Sequence, residues 1–119
     1  TGTNNEVYGT NNIVTGSNNG GIYGTANTVS GGSNGVYGDR NTNLSGNSNS
    51  IYGNANSNVS GNNNLIAGSN NVGVATNNNN IVGDGNVVRA GENHNIFGDG
   101  NAVAGESSSV FGNNSQALS

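Results

Sequence analysis

The residues of this chain that could do chemistry are few. Its 119 residues include six Asp or Glu, two Arg, one His and no Cys. A catalytic acid–base pair, a nucleophile triad or a metal site needs several such side chains close together. One histidine and no cysteine exclude a multi-histidine or thiolate metal site within one chain. We therefore expect no enzyme, no cofactor and no metal site, and so no catalytic residues.

Most of the charged residues are predicted to lie at turns. Five of the six acids directly follow a glycine: Asp39, Asp84, Glu92, Asp99 and Glu106. The tetrapeptide Gly-Asp-Gly-Asn occurs at 83–86 and again at 98–101. If these turns stack, a Ca²⁺ ion could relieve the repulsion between their carboxylates, but calcium needs six to eight oxygens. Turn formation is the preferred interpretation.

The histidine and the arginines are also interpreted structurally. His94 stands where equivalent units carry Asn34, Asn49, Asn64 or Asn79, so we expect it to hydrogen-bond a turn carbonyl. Arg89 interrupts the repeat, which indicates an irregular coil or a salt bridge between chains with Glu92 or Glu106. Arg40 is the other cation, and a net charge of −4 does not favour nucleic acid or anionic lipid as partners.

The spacing of glycines shows that this Asn- and Gly-rich chain is a repeat protein. Glycine ends an apolar tripeptide at intervals of seven or eight residues, Thr76 replaces it once, and two intervals make a unit of 14 or 15 residues. Each interval is too polar for a helix and fits a short strand and a turn. We predict an all-β, single-stranded solenoid of about eight coils over residues 1–119, with in-register Asn ladders.

One aliphatic residue stands two positions before each marker glycine and should point inward. The predicted core is Val7, Val14, Ile22, Val29, Val36, Leu44, Ile51, Val59, Ile66, Val74, Ile81, Ile96, Val103 and Val110. At Arg89 we expect Val88 to take this position after a one-residue slip.

The position directly before the glycine should then point outward. In alternate strands it carries mostly large side chains: Tyr8, Tyr23, Tyr37, Tyr52, Val82, Phe97 and Phe111. The intervening strands carry mostly Ser, Thr or Ala. Because a long exposed apolar stripe promotes association, we predict that these residues form a contact between identical chains. Binding of a carbohydrate or another protein by the aromatic ladder is the alternative.

The repeat resembles the YadA-like heads of trimeric autotransporter adhesins over the whole chain. The likeness is carried by segments such as 101–105 (Asn-Ala-Val-Ala-Gly) and 109–112 (Ser-Val-Phe-Gly). It implies a left-handed parallel β-roll, a homotrimer, and a location on the outer membrane surface of a Gram-negative bacterium. The family often has Ala where this chain has inward Val or Ile, which indicates a divergent or wider roll.

The function expected from this resemblance is attachment to host cells, extracellular matrix or other surfaces, with possible autoagglutination. The partners would be the chain itself and host matrix proteins or receptors, with no nucleic acid and no membrane contact by this segment. We expect residues 1–119 to be a fragment of a longer protein. The alternative function is a structural spacer that holds an active tip away from the membrane without binding a ligand itself. An ice-binding face is a third hypothesis, but the rank Ser30, Ser45, Ser60 continues into alanines.

Overall fold

A computed structural model describes residues 1–58, 60–73 and 76–118, with the side chains of Asn43 and Leu44 excepted. Every regular element in these residues is a β-strand. In chain order they are β1 (Val7–Thr10), β2 (Ile13–Thr15), β3 (Ile22–Thr25), β4 (Thr28–Gly32), β5 (Gly35–Tyr37), β6 (Thr42–Asn47), β7 (Ser50–Tyr52), β8 (Ser57–Asn58), β9 (Leu65–Ala67), β10 (Val72–Gly73), β11 (Asn80–Val82), β12 (Val87–Val88), β13 (Asn95–Phe97), β14 (Ala102–Ala104), β15 (Ser109–Phe111) and β16 (Gln116–Leu118).

The strands form two parallel sheets that together make a β-solenoid. Odd-numbered strands lie side by side in chain order in one sheet, called sheet A, and even-numbered strands do so in the other, called sheet B. Neighbouring strands pair residues 15 apart, as Ile51 with Ile66, or 14 apart, as Ile96 with Val110. The rod measures 40 × 20 × 14 Å. The all-β solenoid with coils of 14 or 15 residues is therefore confirmed.

Aliphatic side chains from both sheets fill the narrow interior. The buried ones are Val14, Ile22, Val29, Val36, Ile51, Ile66, Ile81, Val88, Ile96, Val103 and Val110. Strand alternation explains the pattern, because each buried residue has outward-facing neighbours on both sides. Val88 is fully buried, so the slip expected beside Arg89 occurs.

Of the predicted core residues, one is exposed and three fall outside what the structure describes. Val7 is 42% exposed, because β1 is the end strand of sheet A and pairs only with β3. Val59 and Val74 fall outside the described residues, as does the side chain of Leu44.

Sheet B departs from the regular register in its middle coils. The pairing of β4 with β6 shifts between Val29 and Gly31, which marks a bulge. Beyond this shift the register joins Asn58 to Gly73 and Gly73 to Val88, so Asn58 and Gly73 occupy the inward position and are buried. The one-residue slip therefore begins well before Arg89.

Candidate functional site

The most distinctive surface is a line of stacked aromatic side chains on sheet A. The rings of Tyr8, Tyr23, Tyr37 and Tyr52 lie parallel, with successive centroids 4.8, 5.1 and 5.0 Å apart. Phe97 and Phe111 form a second stack at 5.2 Å. We call the outward residues Tyr8, Tyr23, Tyr37, Tyr52, Ala67, Val82, Phe97 and Phe111 the aromatic stripe.

The parallel register of sheet A produces this stripe. It pairs Tyr8 with Tyr23, Tyr23 with Tyr37 and Tyr37 with Tyr52, so like side chains stand above one another at the strand spacing. The ring separations match that spacing. The stripe continues through Ala67 and Val82 to the phenylalanines in the same register.

The tyrosine half of the stripe lies over small residues. A Cβ atom at Gly21 would meet the Tyr23 ring and the Tyr37 hydroxyl at 2.8 Å each. Gly21 directly precedes the inward-pointing Ile22 and faces outward, but it is buried because these rings cover it. The rings therefore recline across the sheet, and a larger residue at position 21 would displace them.

The stripe remains accessible along its length. The exposed fractions of the four tyrosines are 38–51%, those of Val82 and Phe97 are each 36%, and that of Phe111 is 73%. Stacking hides the ring faces and leaves the ring edges and hydroxyls exposed. The predicted contact residues are thus brought into one continuous line on one face.

Within the aromatic stripe, the phenol of Tyr8 has a raised pKa, and its neighbour Glu6 is the cause. Its hydroxyl donates to the Glu6 carboxylate at 2.9 Å. This hydrogen bond, followed by the negative charge of Glu6, raises the pKa of the Tyr8 phenol, because removing the proton would place two anions together.

Two ladders of asparagines run along the interior beside the aliphatic core, and all of them are buried except the half-buried Asn5 and Asn12 at the first coil. The first ladder contains Asn5, Asn19, Asn34, Asn49, Asn64, Asn79 and His94, and the second contains Asn12, Asn27, Asn41, Asn56, Asn71, Asn86 and Asn101. In-register Asn ladders are predicted from the repeat, but these asparagines are not among the predicted core residues. The signal was present, since an Asn follows nearly every marker glycine by three positions.

Each asparagine uses both ends of its amide. The Asn56 Oδ1 atom accepts from the Asn71 backbone N–H at 3.0 Å and the Asn71 Nδ2 at 3.1 Å. The Asn56 Nδ2 donates to the Gly68 carbonyl at 2.6 Å and to the Asn41 Oδ1 at 3.2 Å. The buried polar groups are therefore satisfied, and each coil is tied to the next.

Most of the corners that precede the ladder asparagines share one backbone conformation. At 53–56, Gly53 has a φ of 121° and Ala55 a φ of 57°, and Asn56 then turns inward. The same pair of positive φ angles recurs along the chain. The residue two positions after the marker glycine, equivalent to Ala55, is most often Asn, Ser or Gly. Gly and Asn populate this region readily, which explains much of the unusual composition.

His94 continues the first ladder. It is fully buried, and its Nδ1 accepts the Ser108 backbone N–H at 3.1 Å. Its Nε2 lies 3.1 Å from the Ala90 carbonyl oxygen, which requires a proton on Nε2. The ring hydrogen-bonds a turn carbonyl, and the expected interaction is present.

The three aspartates lie at exposed turns and accept backbone N–H groups from the preceding coil. Asp39 accepts from Thr25 at 2.7 Å, Asp84 from Ser69 at 2.6 Å and Asp99 from Asp84 at 2.9 Å. Glu92 instead accepts from the Asn77 Nδ2 at 2.6 Å. Across the described residues, three or more His, Cys, Asp or Glu side chains do not come together as a metal-binding group.

A surface depression in the described part of the chain is lined by residues without titratable side chains. It has a volume of about 250 Å³, is wide open, and is bordered by Ser60, Gly61, Asn62 and Asn77. Arg89 is exposed and directly follows β12, where its N–H donates to the Val103 carbonyl at 2.9 Å. Neither feature places reactive groups beside one another.

Together these features define a parallel β-solenoid with one aromatic face. No family model, no curated protein and no solved structure matches the chain. In the part of the chain that the structure describes, no helix has the length and apolar character needed to cross a membrane.

Proposed function

We propose that this chain is a head segment of a bacterial surface adhesin, whose copies associate side by side through the aromatic stripe. The observation that supports this most directly is the continuous line of exposed, stacked rings on one face of an otherwise polar rod. The resemblance to trimeric autotransporter heads adds the number three, the left-handed winding and the location on a Gram-negative outer membrane.

The size of the stripe supports association. Half-exposed aromatic and aliphatic side chains of this kind leave roughly 500–700 Å² of apolar surface along the rod. That is at the upper limit for a soluble monomer, and near the area that one partner buries in a standard interface. Packing of three copies around a common axis would cover the stripe and leave each sheet B facing outward.

The mass of the chain in solution tests this association. We expect light scattering to give three times 11.8 kDa for the unmodified chain. Replacing both Tyr23 and Tyr37 with Ser should shift the mass toward that of one chain. Thr15→Ser on the exposed face of sheet B is the matched control and should leave the mass unchanged. A single-chain mass for the unmodified protein would refute the proposal.

Adhesion itself needs a separate test. The associated protein should coat host cells, extracellular matrix proteins or other surfaces, and the single-chain variant should coat them less. The expected ligands are matrix proteins or cell-surface receptors.

A structural spacer is the second candidate function. Its support is the uniformity of the coils, whose described residues include no large unique loop between strands. Normal association without binding to any surface would favour the spacer and refute adhesion by this segment.

A further inference from the structure

We propose that Asn19 and Asn34 are deamidation sites that the ladder keeps unreactive, and that modification there prevents the opened solenoid from closing again. These two residues form the only Asn–Gly pairs of the sequence, Asn19–Gly20 and Asn34–Gly35. Both belong to the first ladder and both are fully buried. The proposal is independent of the association proposed above.

Asn–Gly pairs are chemically special because glycine leaves its backbone nitrogen uncrowded. That nitrogen, after losing its proton to base, attacks the side-chain Cγ of the preceding asparagine and forms a C–N bond. The side-chain nitrogen leaves as ammonia, and a five-membered succinimide remains. One water then opens the ring at either carbonyl, giving aspartate or isoaspartate. The net change is uptake of one water and release of one ammonia.

The folded structure immobilises every atom that this reaction needs at Asn34. The Nδ2 donates to the Asn19 Oδ1 at 3.1 Å and to the Gly46 carbonyl at 3.0 Å, and the Oδ1 accepts the Asn49 N–H at 3.0 Å. The attacking group is also occupied, because the Gly35 N–H donates to the Asn49 carbonyl at 2.9 Å. Neither the rotation of the amide nor the approach of the nitrogen is possible while the coils are stacked.

Asn19 is held in place by the hydrogen bonds of its side-chain amide. Its Nδ2 donates at 3.1 Å to both the Asn5 Oδ1 and the Gly31 carbonyl, and its Oδ1 accepts from the Asn34 N–H at 3.0 Å. Gly20, in contrast with Gly35, is exposed and lies outside any strand. Protection at this pair therefore depends on the amide alone.

The product cannot resume the place of the amide in the ladder. A carboxylate at position 34 has no N–H to donate to the Gly46 carbonyl, and it would be a buried charge facing two acceptor oxygens. Burial of such a charge without a partner is strongly unfavourable. Isoaspartate also lengthens the backbone by one carbon and would break the register of β5. A deamidated chain should therefore stay open at these coils.

A residue of the neighbouring coil suggests a conservative double variant that hinders succinimide formation. Ser50 occupies the position of Gly35 one coil later, in register with it. A Cβ at Gly35 would come no closer than 3.5 Å to another atom, and a Cβ at Gly20 would meet nothing within 4 Å. Gly20→Ser with Gly35→Ser should therefore keep the ladder intact while crowding both attacking nitrogens.

The experiment compares the full chain in mildly alkaline buffer with and without concentrated urea. Peptide mass mapping follows the exchange of amide for acid at positions 19 and 34, and released ammonia is measured in parallel. We expect modification to be at least about tenfold slower without urea, because it requires opening of the ladder. After urea treatment and dilution, the wild-type chain should lose strand circular dichroism in proportion to its deamidation. The double serine variant, which deamidates more slowly, should recover more of the signal.

Two results would overturn the proposal. One is an equal deamidation rate in the folded and unfolded chain. The other is full recovery of the strand signal by chains deamidated at both positions. Asn34→Asp gives an independent measurement, since it should refold less completely than the unmodified chain, and equal refolding would contradict the assigned consequence.

Discussion

At the scale of single residues, the fold depends on a side chain that is donor and acceptor at once. In each asparagine rung the amide oxygen accepts an N–H from the next coil, and in most rungs the amide nitrogen donates to a carbonyl and to the amide oxygen of the previous rung. An aspartate would lack the donor, and a threonine is too short to span the same distances. His94 can replace asparagine because its two ring nitrogens divide the two roles.

This division of roles gives a prediction for the first ladder. Asn64→Ala removes the acceptor of the Asn79 N–H and the donor to the Thr76 carbonyl. Two buried backbone groups lose their partners, so we expect the free energy of unfolding to fall by roughly 2–4 kcal/mol. Urea unfolding followed by circular dichroism measures the change.

The matched control is His94→Asn, which restores the residue type of the ladder at a buried position. Its stability should stay within about 1 kcal/mol of the unmodified chain. A loss as large as that of Asn64→Ala would mean that shape, not hydrogen bonding, decides which residues the ladder accepts.

The Tyr8–Glu6 pair predicts a change in phenol titration. Because the carboxylate raises the pKa of Tyr8, Glu6→Gln should lower that pKa toward the ordinary tyrosine value. The absorbance of the phenolate during alkaline titration should then show one tyrosine ionising at lower pH than before. Tyr8→Phe, which removes that phenol, identifies the component. An unchanged titration in Glu6→Gln would exclude the hydrogen bond in solution.

At the scale of elements, the corner joins the two sheets and sets the distance between coils. A Cβ at Gly53 would overlap the carbonyl oxygen of Gly68 in the next coil, and the φ of 121° is itself unfavourable for other residues. We expect Gly53→Ala to lower the free energy of unfolding by at least about 2 kcal/mol. Thermal unfolding measures this loss.

Gly85 gives the comparison for this corner. It has a φ of 65° with open space around it, and Asn70 takes the equivalent position one coil earlier with a φ of 59°. Gly85→Asn should change stability by no more than about 0.5 kcal/mol. Equal losses in the two variants would show that close contact between coils is not the reason for glycine at position 53.

The regular coils could be predicted from the sequence, and the bulged ones could not. Spacing of glycines and aliphatics gave the strands, the coil length and the inward residues wherever a strand has three residues before its glycine, as at Ile51 and Val103. In the middle of sheet B one further residue precedes the marker. There the inward residues Asn58 and Gly73 stand three positions before their markers, and only the register with Val88 shows that Gly73 lies inward.

The aromatic stripe could be predicted for a related reason. The burial of the interior ladders could not be predicted as readily. Outward aromatics repeat at one position, so parallel stacking follows from the strand register. Asparagine, however, is ordinarily an exposed turn residue, and its abundance concealed the fact that only one position in each corner is buried. Hydrogen-bond partners 11 to 15 residues away, such as Gly53 for Asn41, cannot be identified from one local segment.

At the scale of the whole molecule, the buried aliphatics among the described residues fall into two clusters. One contains Val14, Ile22, Val29, Val36 and Ile51, and the other contains Ile66, Ile81, Val88, Ile96, Val103 and Val110. Between them, sheet B places Asn58 and Gly73 inward. In a repeat protein each coil contacts only its neighbours, so a weak interface divides the rod into units that can open separately.

Two spectroscopic probes can detect this division. All four tyrosines lie in the first half of the chain, whereas circular dichroism reports on both halves. We expect the urea midpoints from tyrosine fluorescence and from circular dichroism to differ. Gly73→Ala should bring them closer and raise stability by about 0.5–1 kcal/mol, because the added methyl meets only ordinary contacts at 3.4 and 3.6 Å. Coincident midpoints in the unmodified chain would show that the rod unfolds as one unit.

The ladder hydrogen bonds also have a direction. In each rung the backbone N–H belongs to the later residue and the side-chain oxygen to the earlier one, as from Asn71 to Asn56 and from Asn86 to Asn71. Each coil therefore finds the acceptors for its ladder N–H groups in the coil before it. The rod can lengthen one coil at a time from its N-terminal end without waiting for distant parts of the chain.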